Sequence, residues 1–330
     1  MKVPFVSIVI PVRNVEKILP DCLQSLIHLE YPRDRYEIII ADSLSSDSTC
    51  QIAVNYGARV VSTPERSVCA GRNTGFKASK GELVAFSDAD CTMDKKWLIN
   101  ALKYFQDDSV AAVGGPNLVP PDDSHFSQAV DVQFALAFYI IKAAPVRILD
   151  RVIETRSHGS NVIFRKDVLE RVMPVPSELI EGEDVEMNNR VSRLGYKLLY
   201  VPDVIVWHRR RSNPRRWFKQ MYTYGIGKFL VCKKDKSACN PLHIVLGGVL
   251  PILSAAVLVL ILTNPELFTP LLVLAGVITF GLMLGALWDK KNLLVAIWFP
   301  VVACLSLAGW SLGFLRAALL GQLIQFKRVK

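Results

Sequence analysis

Two pairs of carboxylates carry the first hint of chemistry in this sequence. Asp88 and Asp90 stand two apart, just past the run Glu82–Phe86 and its following Ser87. In an extended loop both can reach a hard cation, directly or through water. Mg²⁺ or Mn²⁺ takes few protein carboxylates and fills its shell with substrate phosphates, and it then offsets charge on a departing phosphate. A solvated pair of loop acids is the plain alternative. Glu183 and Asp184 open a helical pattern. Neighbouring carboxylates raise one another's pKa, while a helix N-terminus favours the charged form. Asp184 is the candidate general base, with Glu183 beside it, although acids are common at helix starts for their own sake. Asp42 closes a β-branched run, where it can accept hydrogen bonds from a base or ribose or make an Asx turn. Arg72 suits a phosphate or an ion pair with the Asp88 region. His208 follows an apolar run and either completes a metal site or is a structural imidazole.

These residues need elements to position them. Val6–Val12, Tyr36–Asp42, Arg59–Ser62, Glu82–Phe86 and Val110–Val113 read as short strands, and a strand over 158–164 is entered through a polar glycine turn. Helices are expected after Val12 with Pro20 in the first turn, from Ser48 to Tyr56 before Gly57, from Lys95 to Phe105, from Gln128 to Ile141, and from Glu183 to Leu194 before Gly195. The alternation implies βαβ units and an α/β domain on a mostly parallel sheet. Ligands of such sheets bind beyond the carboxyl ends of the strands, so Asp42, Arg72-Asn73 and Asp88–Asp90 are expected to converge on one edge. Val3 to Val12 has no small-residue cleavage site and ends in Arg13-Asn14, so it reads as a first strand and not as a signal peptide.

Charge and hydropathy divide the chain. The net charge is +9, and Trp207–Lys236 holds ten Lys or Arg against the single acid Asp235, so this stretch carries the whole excess. From Leu242 to Trp288 the only ionisable residues are His243 and Glu266. Segments 242–263, 267–288 and 293–315 each exceed the roughly 20 residues that cross a bilayer. A basic run before them fits positive-inside topology and anionic headgroups, with 264–266 outside and 289–292 inside. Three spans are expected, the alternative being a third segment broken at Pro300 and Arg316 into a re-entrant piece and a surface helix. Three spans leave the tail Lys327–Lys330 outside. Trp217–Leu230 mixes aromatic and basic residues as a surface helix does. No recognition motif accompanies the charge, so nucleic acid is not an expected partner. The seven cysteines show no CxxC pair and no metal spacing, which points to a reducing, cytosolic setting.

Residues 5–225 resemble the family 2 inverting glycosyltransferases of GT-A fold, through six motifs in order. Ser7–Asn14 looks like the opening strand. Ala41–Thr49 resembles the "DDxSxDxT" segment, with Ala41 replacing its first carboxylate. Ala70–Asn73 resembles the "RN" motif and Phe86–Asp90 the DxD. Gly159-Ser160-Asn161 with Phe164-Arg165-Lys166 looks like the acceptor-side strand, and Glu181–Asp184 like the "ED" motif. The resemblance implies a Rossmann-like GT-A domain over 1–206, an interfacial basic-aromatic region over 207–241 and a membrane domain over 242–330. It implies a UDP- or GDP-linked sugar held by Pro11, Arg13, Asp42, Arg72, Asp88 and Ala89. A divalent metal would sit on Asp88, Asp90 and His208. Gly159, Ser160, Asn161, Arg209, Arg215, Arg216 and Trp217 would meet an acceptor or a lipid phosphate.

The layout, a cytosolic domain followed by a hydrophobic bundle, is similar to the exopolysaccharide and lipid-linked glycan transferases of the succinoglycan type. The expected reaction moves one sugar to a lipid-linked acceptor, with inversion and without a covalent intermediate. A polyprenyl-phosphate sugar synthase, a processive synthase and an inactive scaffold are the alternatives. Asn213-Pro-Arg-Arg-Trp217 has the QxxRW spacing of the processive enzymes but begins with Asn, which, with so small a membrane part, argues against chain extrusion.

Overall fold

The computed structural model describes residues 3–141, 149, 151–155, 158–176, 182–234, 239 and 241–320. The chain divides into two compact units. One holds the residues up to Pro121 together with Ala137–Arg209, the other Asp122–Leu136 and everything from Arg210. The return of Asp122–Leu136 to the C-terminal unit has no marker in the sequence.

The first unit begins with β1 (Val6–Val12), α1 (Leu19–Ile27), β2 (Tyr36–Asp42), α2 (Thr49–Asn55), β3 (Arg59–Ser62), α3 (Val68–Ala78) and β4 (Leu83–Phe86). Next come β5 (Cys91–Met93), α4 (Trp97–Leu102), β6 (Val110–Gly114) and β7 (Asn117–Leu118). After α5 (His125–Ile141) it is completed by β8 (Ile153–Glu154), β9 (Val162–Arg165), α6 (Lys166–Val172), α7 (Glu183–Arg193), β10 (Lys197–Tyr200) and β11 (Val206–His208). Pro20 stands in the first turn of α1, where a missing N–H costs nothing. Gly57 and Gly195 have φ of +74° and +84°, the left-handed geometry that ends α2 and α7.

The main sheet has the order β3-β2-β1-β4-β9-β6-β10-β8. β3, β2, β1 and β4 run parallel, as their β-branched runs and intervening helices require. β9 enters antiparallel between β4 and β6, so the sheet is mixed. A second sheet, β5-β11-β7, pairs His208 with Cys91 across antiparallel strands. The core packs both faces of the main sheet with Ile8, Ile10, Ile38 and Ile40 on one side and Val9, Ile39, Val84 and Phe164 on the other, the alternation that a pleated strand imposes.

The second unit contains α8 (Pro214–Lys234), α9 (Pro241–Ile244), a π-helical stretch Val245–Val249 leading into α10 (Leu250–Thr263), α11 (Phe268–Lys290) and α12 (Leu293–Leu320). Among the described residues, three helices are long and apolar enough to cross a membrane: Pro241–Thr263, Pro265–Lys290 and Leu293–Leu320. α12 runs unbroken through Pro300 and Arg316, so the reading of a broken third segment is not what the chain adopts.

α8 is packed against α12 through glycines. A Cβ on Gly225 would lie 2.0 Å from the Trp310 carbonyl, and one on Gly313 2.0 Å from that of Tyr222; only glycine lets the backbones approach so closely. Trp217 faces this seam. It is buried, its Nε1 donates to Ser306 Oγ at 2.8 Å, and Phe134 meets its ring edge-on at 5.6 Å. The expectation that Trp217 touches an acceptor is therefore corrected: the indole is core. Beside it, buried Asp131 of α5 holds Lys290 Nζ at 2.8 Å and Arg210 Nη2 at 3.6 Å.

Candidate active site

The register of the parallel strands aligns the polar residues at one edge. Val12 lies beside Asp42 and Val9 beside Phe86, so the segments after β1, β2 and β4 emerge together. The first two knit to each other: Asn14 takes φ 52°, Ser46 N–H donates to its Oδ1 at 2.8 Å, and its own N–H donates to Ser45 Oγ at 2.9 Å. Asp42 is buried and accepts the Ser45 N–H at 3.1 Å. This is the Asx-turn geometry, so the carboxylate holds its own loop. Arg13 is exposed. Pro11 lines the approach of α3, where a Cβ on Gly71 would lie 2.8 Å from the Pro11 Cβ.

Arg72 is the hub. It lies in the first half of α3, 3% exposed, because Gly71 and Gly75 let the helix settle onto β1. Its Nη2 donates to Asp88 Oδ1 at 3.0 Å and its Nη1 to Glu183 Oε1. One guanidinium thus joins the segment after β4 to the start of α7. Burial alone would lower the Arg72 pKa, but Glu183, Asp88 and Asp184 outweigh it and hold the guanidinium charged. Burial pushes the Glu183 carboxyl above its ordinary range against the pull of Arg72, with Asp184 adding repulsion. Asp184 is turned the other way. Its Oδ2 accepts the Gly159 N–H at 3.2 Å and its Oδ1 the Val185 N–H at 2.8 Å, at the N-terminus of α7. Gly182 precedes it at φ 87°. Glu181, first residue of the expected motif, lies outside the described residues.

The segment expected on the acceptor side does a different job. Asn161 has no exposed surface; its Oδ1 accepts from Trp97 Nε1 at 2.8 Å, and its Nδ2 donates to the carbonyls of Pro116 and Val204 at 3.0 and 2.8 Å. Buried Ser160 accepts from Asn117 Nδ2 at 2.8 Å. Asn161 thus has no surface to offer a ligand and Ser160 almost none, so both side chains serve buried partners where a ligand contact is expected. Gly159 is a positioning residue: a Cβ there would lie 2.6 Å from Arg72 Nη1. Sequence reasoning also missed Asn117, Trp97 and Asn14, of which only Asn14, in a loop after a strand, left a recognisable turn signal.

Asp90, Cys91 and His208 form a separate cluster with ligand atoms within 4.8 Å of one another. His208 Nε2 lies 3.2 Å from Asp90 Oδ1, and the Arg209 N–H donates to the Asp90 carbonyl at 3.1 Å. Burial, then Asp90 and Asp88, push the Cys91 thiol well above its ordinary range. Within this cluster Asp90 offers a carboxylate oxygen and His208 an imidazole nitrogen, the donors that could meet a hard cation. Asp88 is not in this group, its Oδ1 being engaged by Arg72. Ala89 is buried between the two acids and the Arg209 side chain is exposed. Arg215 and Arg216 belong to the second unit. They are exposed in the first turn of α8, where Asn213 Oδ1 accepts their N–H groups at 2.9 and 3.2 Å. Asn213 is therefore a helix cap, which accounts for Asn where the processive motif has Gln.

A mixed sheet with an acidic segment after β4, an arginine hub and a paired acid at a helix start defines the glycosyltransferases of GT-A-like fold. The glycosyl transferase family 2 profile matches residues 7–173, and the chain belongs to that family. Glycosyltransferase AglE of Haloferax volcanii is 29% identical over 240 residues, which cover 71% of this chain and 76% of that protein. A dolichyl N-acetyl-alpha-D-glucosaminyl phosphate 3-beta-D-2,3-diacetamido-2,3-dideoxy-beta-D-glucuronosyltransferase of Methanococcus voltae is 23% identical over 250 residues, 70% of this chain and 74% of its own. Among solved structures, the mannosyltransferase PcManGT of Pyrobaculum calidifontis in complex with GDP-Man and Mn²⁺ superposes with a TM-score of 0.62. It is 20% identical and the match covers 92% of this chain and 87% of that one; at that identity it speaks for the fold.

Proposed function

We propose that this glycosyltransferase moves a single sugar, with inversion, from a nucleotide sugar to a lipid-linked acceptor at the cytoplasmic face of a membrane. Asp184 is the general base. The observation that carries the reading is the Arg72 bridge, which locks the Asp88 segment and Glu183 together and leaves the neighbouring Asp184 anchored by backbone N–H groups at a helix start. A base so anchored is oriented before the acceptor arrives. The acceptor hydroxyl gives its proton to an Asp184 carboxylate oxygen as its own oxygen bonds to the anomeric carbon. The bond from that carbon to the donor phosphate breaks, and the nucleotide diphosphate leaves with the electron pair. One displacement inverts the centre.

Pro11, Arg13, Asp42 and Ala89, along the edge where β1, β2 and β4 end, are the proposed nucleotide contacts. Asp90 and His208 would hold a divalent metal, Mn²⁺ suiting a carboxylate–imidazole pair better than Mg²⁺, which prefers oxygen throughout. Such an ion neutralises charge on the departing diphosphate. The GDP-Man and Mn²⁺ bound to the Pyrobaculum enzyme, and the dolichyl acceptor named for the Methanococcus enzyme, support donor, metal and acceptor class. Exposed Arg215, Arg216 and Lys219 on α8, next in sequence to the apolar helices, support the membrane side of the reading.

Asp184→Asn is the decisive variant, because the amide keeps an acceptor for the Gly159 N–H while losing the base. Transfer of radiolabelled sugar to lipid should fall by about 10²–10⁴ with donor affinity unchanged, and an α-linked donor should yield a β-linked product by NMR. Full activity in Asp184→Asn, or a product of retained configuration, refutes the mechanism.

A further inference from the structure

The cysteines looked scattered in the sequence, but the second unit brings two of them to one histidine. The ligand atoms of Cys232, Cys239 and His243 all lie within 4.8 Å of one another. Cys232 is the last buried position on the face of α8 that also carries Trp217, Met221 and Gly225. Cys239 precedes α9, and His243 sits within its single turn, its ring 6.1 Å from that of Trp310. The three residues therefore come from the two ends of one helix-to-helix connection.

We infer that Cys232, Cys239 and His243 bind one zinc-class ion that pins the C-terminal end of α8 to the start of the first apolar helix. Two thiolate sulfurs beside an imidazole nitrogen are a donor set that suits Zn²⁺ and not the harder Mg²⁺ or Mn²⁺, so the site is chemically distinct from Asp90 and His208. A tetrahedral ion with Zn–S of about 2.3 Å holds its sulfurs roughly 3.8 Å apart, which small side-chain rotations reach from the spacing seen. On binding, both thiols give their protons to solvent and the two thiolates neutralise the ion, so the complex adds no net charge to a lysine-rich connection. One tetrahedral position is left for a fourth donor.

The full chain, purified in detergent with reductant and then titrated with Co²⁺, tests this. A thiolate-to-cobalt charge-transfer band with tetrahedral d–d bands should grow to one ion per chain, and Zn²⁺ should displace it. Cys232→Ser and Cys239→Ser should each abolish the charge-transfer band, whereas Cys91→Ser and Cys304→Ser should keep it. Because a serine variant can lose the band by misfolding, the unsubstituted chain supplies a second measurement. Zn²⁺ should slow alkylation of Cys239 by about tenfold or more, and a chelator should restore the rate. The proposal fails if Co²⁺ yields no thiolate band, if the band survives in both serine variants, or if Zn²⁺ leaves alkylation unchanged. It also fails if thiol trapping at cell lysis finds Cys232 and Cys239 joined as a disulfide.

Discussion

Arg72 carries one positive charge among three acids, and Gly159 decides whether it can do so. The guanidinium lies against the Gly159 backbone so closely that any side chain there must displace it. Gly159→Ala is therefore expected to shift Arg72 and, through it, Glu183 and the start of α7, although Gly159 itself does no chemistry. Misplacement on the ångström scale costs about 10²-fold in rate. The variant should lose that much kcat while its thermal midpoint stays near that of the parent chain; a rate within twofold would remove Gly159 from the positioning set. Arg72→Gln is harsher. It strands buried Glu183 beside two other carboxylates, and loss of one partner of a buried pair costs about 3–5 kcal/mol. Calorimetry should find a clearly lowered midpoint, and the loss should shrink in Arg72→Gln combined with Glu183→Gln, because the second change removes the stranded charge. Additive losses in the double variant would mean that the two residues are not coupled.

The first three parallel strands are tied by one acid as well as by their ladders. Glu37 accepts from Ser7 Oγ at 2.7 Å, from the Lys80 N–H at 2.8 Å and from Arg59 Nη2 at 2.8 Å. Its burial alone would raise its pKa, but these partners outweigh it and hold the carboxyl below its ordinary 4.5. A folded-state pKa below the unfolded one stabilises the fold above the unfolded value, and that stability is lost as pH falls. The thermal midpoint should thus drop as pH is lowered below about 4.5, and Glu37→Gln should flatten that part of the profile; an unchanged profile would free Glu37 of the role. The strands it joins were legible in the sequence because β-branched runs between turn residues have few other uses. α3 was not. Its stretch Gly71–Gly75 shows no apolar stripe, since what holds it is close approach: a Cβ on Gly75 would lie 2.2 Å from Val9 Cγ1. The reversed direction of β9 was equally hidden, being set by strand neighbours far away in sequence. Asn161 and Trp217 are not distinguishable from ligand contacts in the sequence, because polar and aromatic motif residues look alike whether they face a ligand or, as here, satisfy buried partners. The placement of Asp88 and Asp90 after a strand, and of Glu183 and Asp184 at a helix start, was legible because it is a local property of the sequence.

For the chain as a whole, the open quantity is the sense in which the three apolar helices cross a bilayer, and the second unit bears on it through Asp131. That carboxylate holds Lys290, at the end of α11, and Arg210, at the start of the basic stretch. The 289–292 connection and the beginning of the basic run therefore lie on one side of any membrane that these helices cross. The charge distribution agrees: 264–266 has no Lys or Arg, whereas 289–292 has two, and cytoplasmic connections carry an excess of Lys and Arg. In a background without the seven native cysteines, Glu266→Cys should react with an impermeant maleimide added to intact cells. Lys291→Cys should react only after permeabilisation. If Lys291→Cys labels from outside and Glu266→Cys does not, the basic face is extracellular and a nucleotide-sugar donor supplied from the cytosol is ruled out. If both label from outside, the pair α10 and α11 does not cross as a hairpin. Asp131→Ala adds the energetic arm, because it leaves Lys290 and Arg210 facing each other with their shared acid removed. It should lower the thermal midpoint of the detergent-solubilised protein, in line with the roughly 3–5 kcal/mol of a broken buried pair. Donor binding should survive, since the residues proposed for it all belong to the other unit.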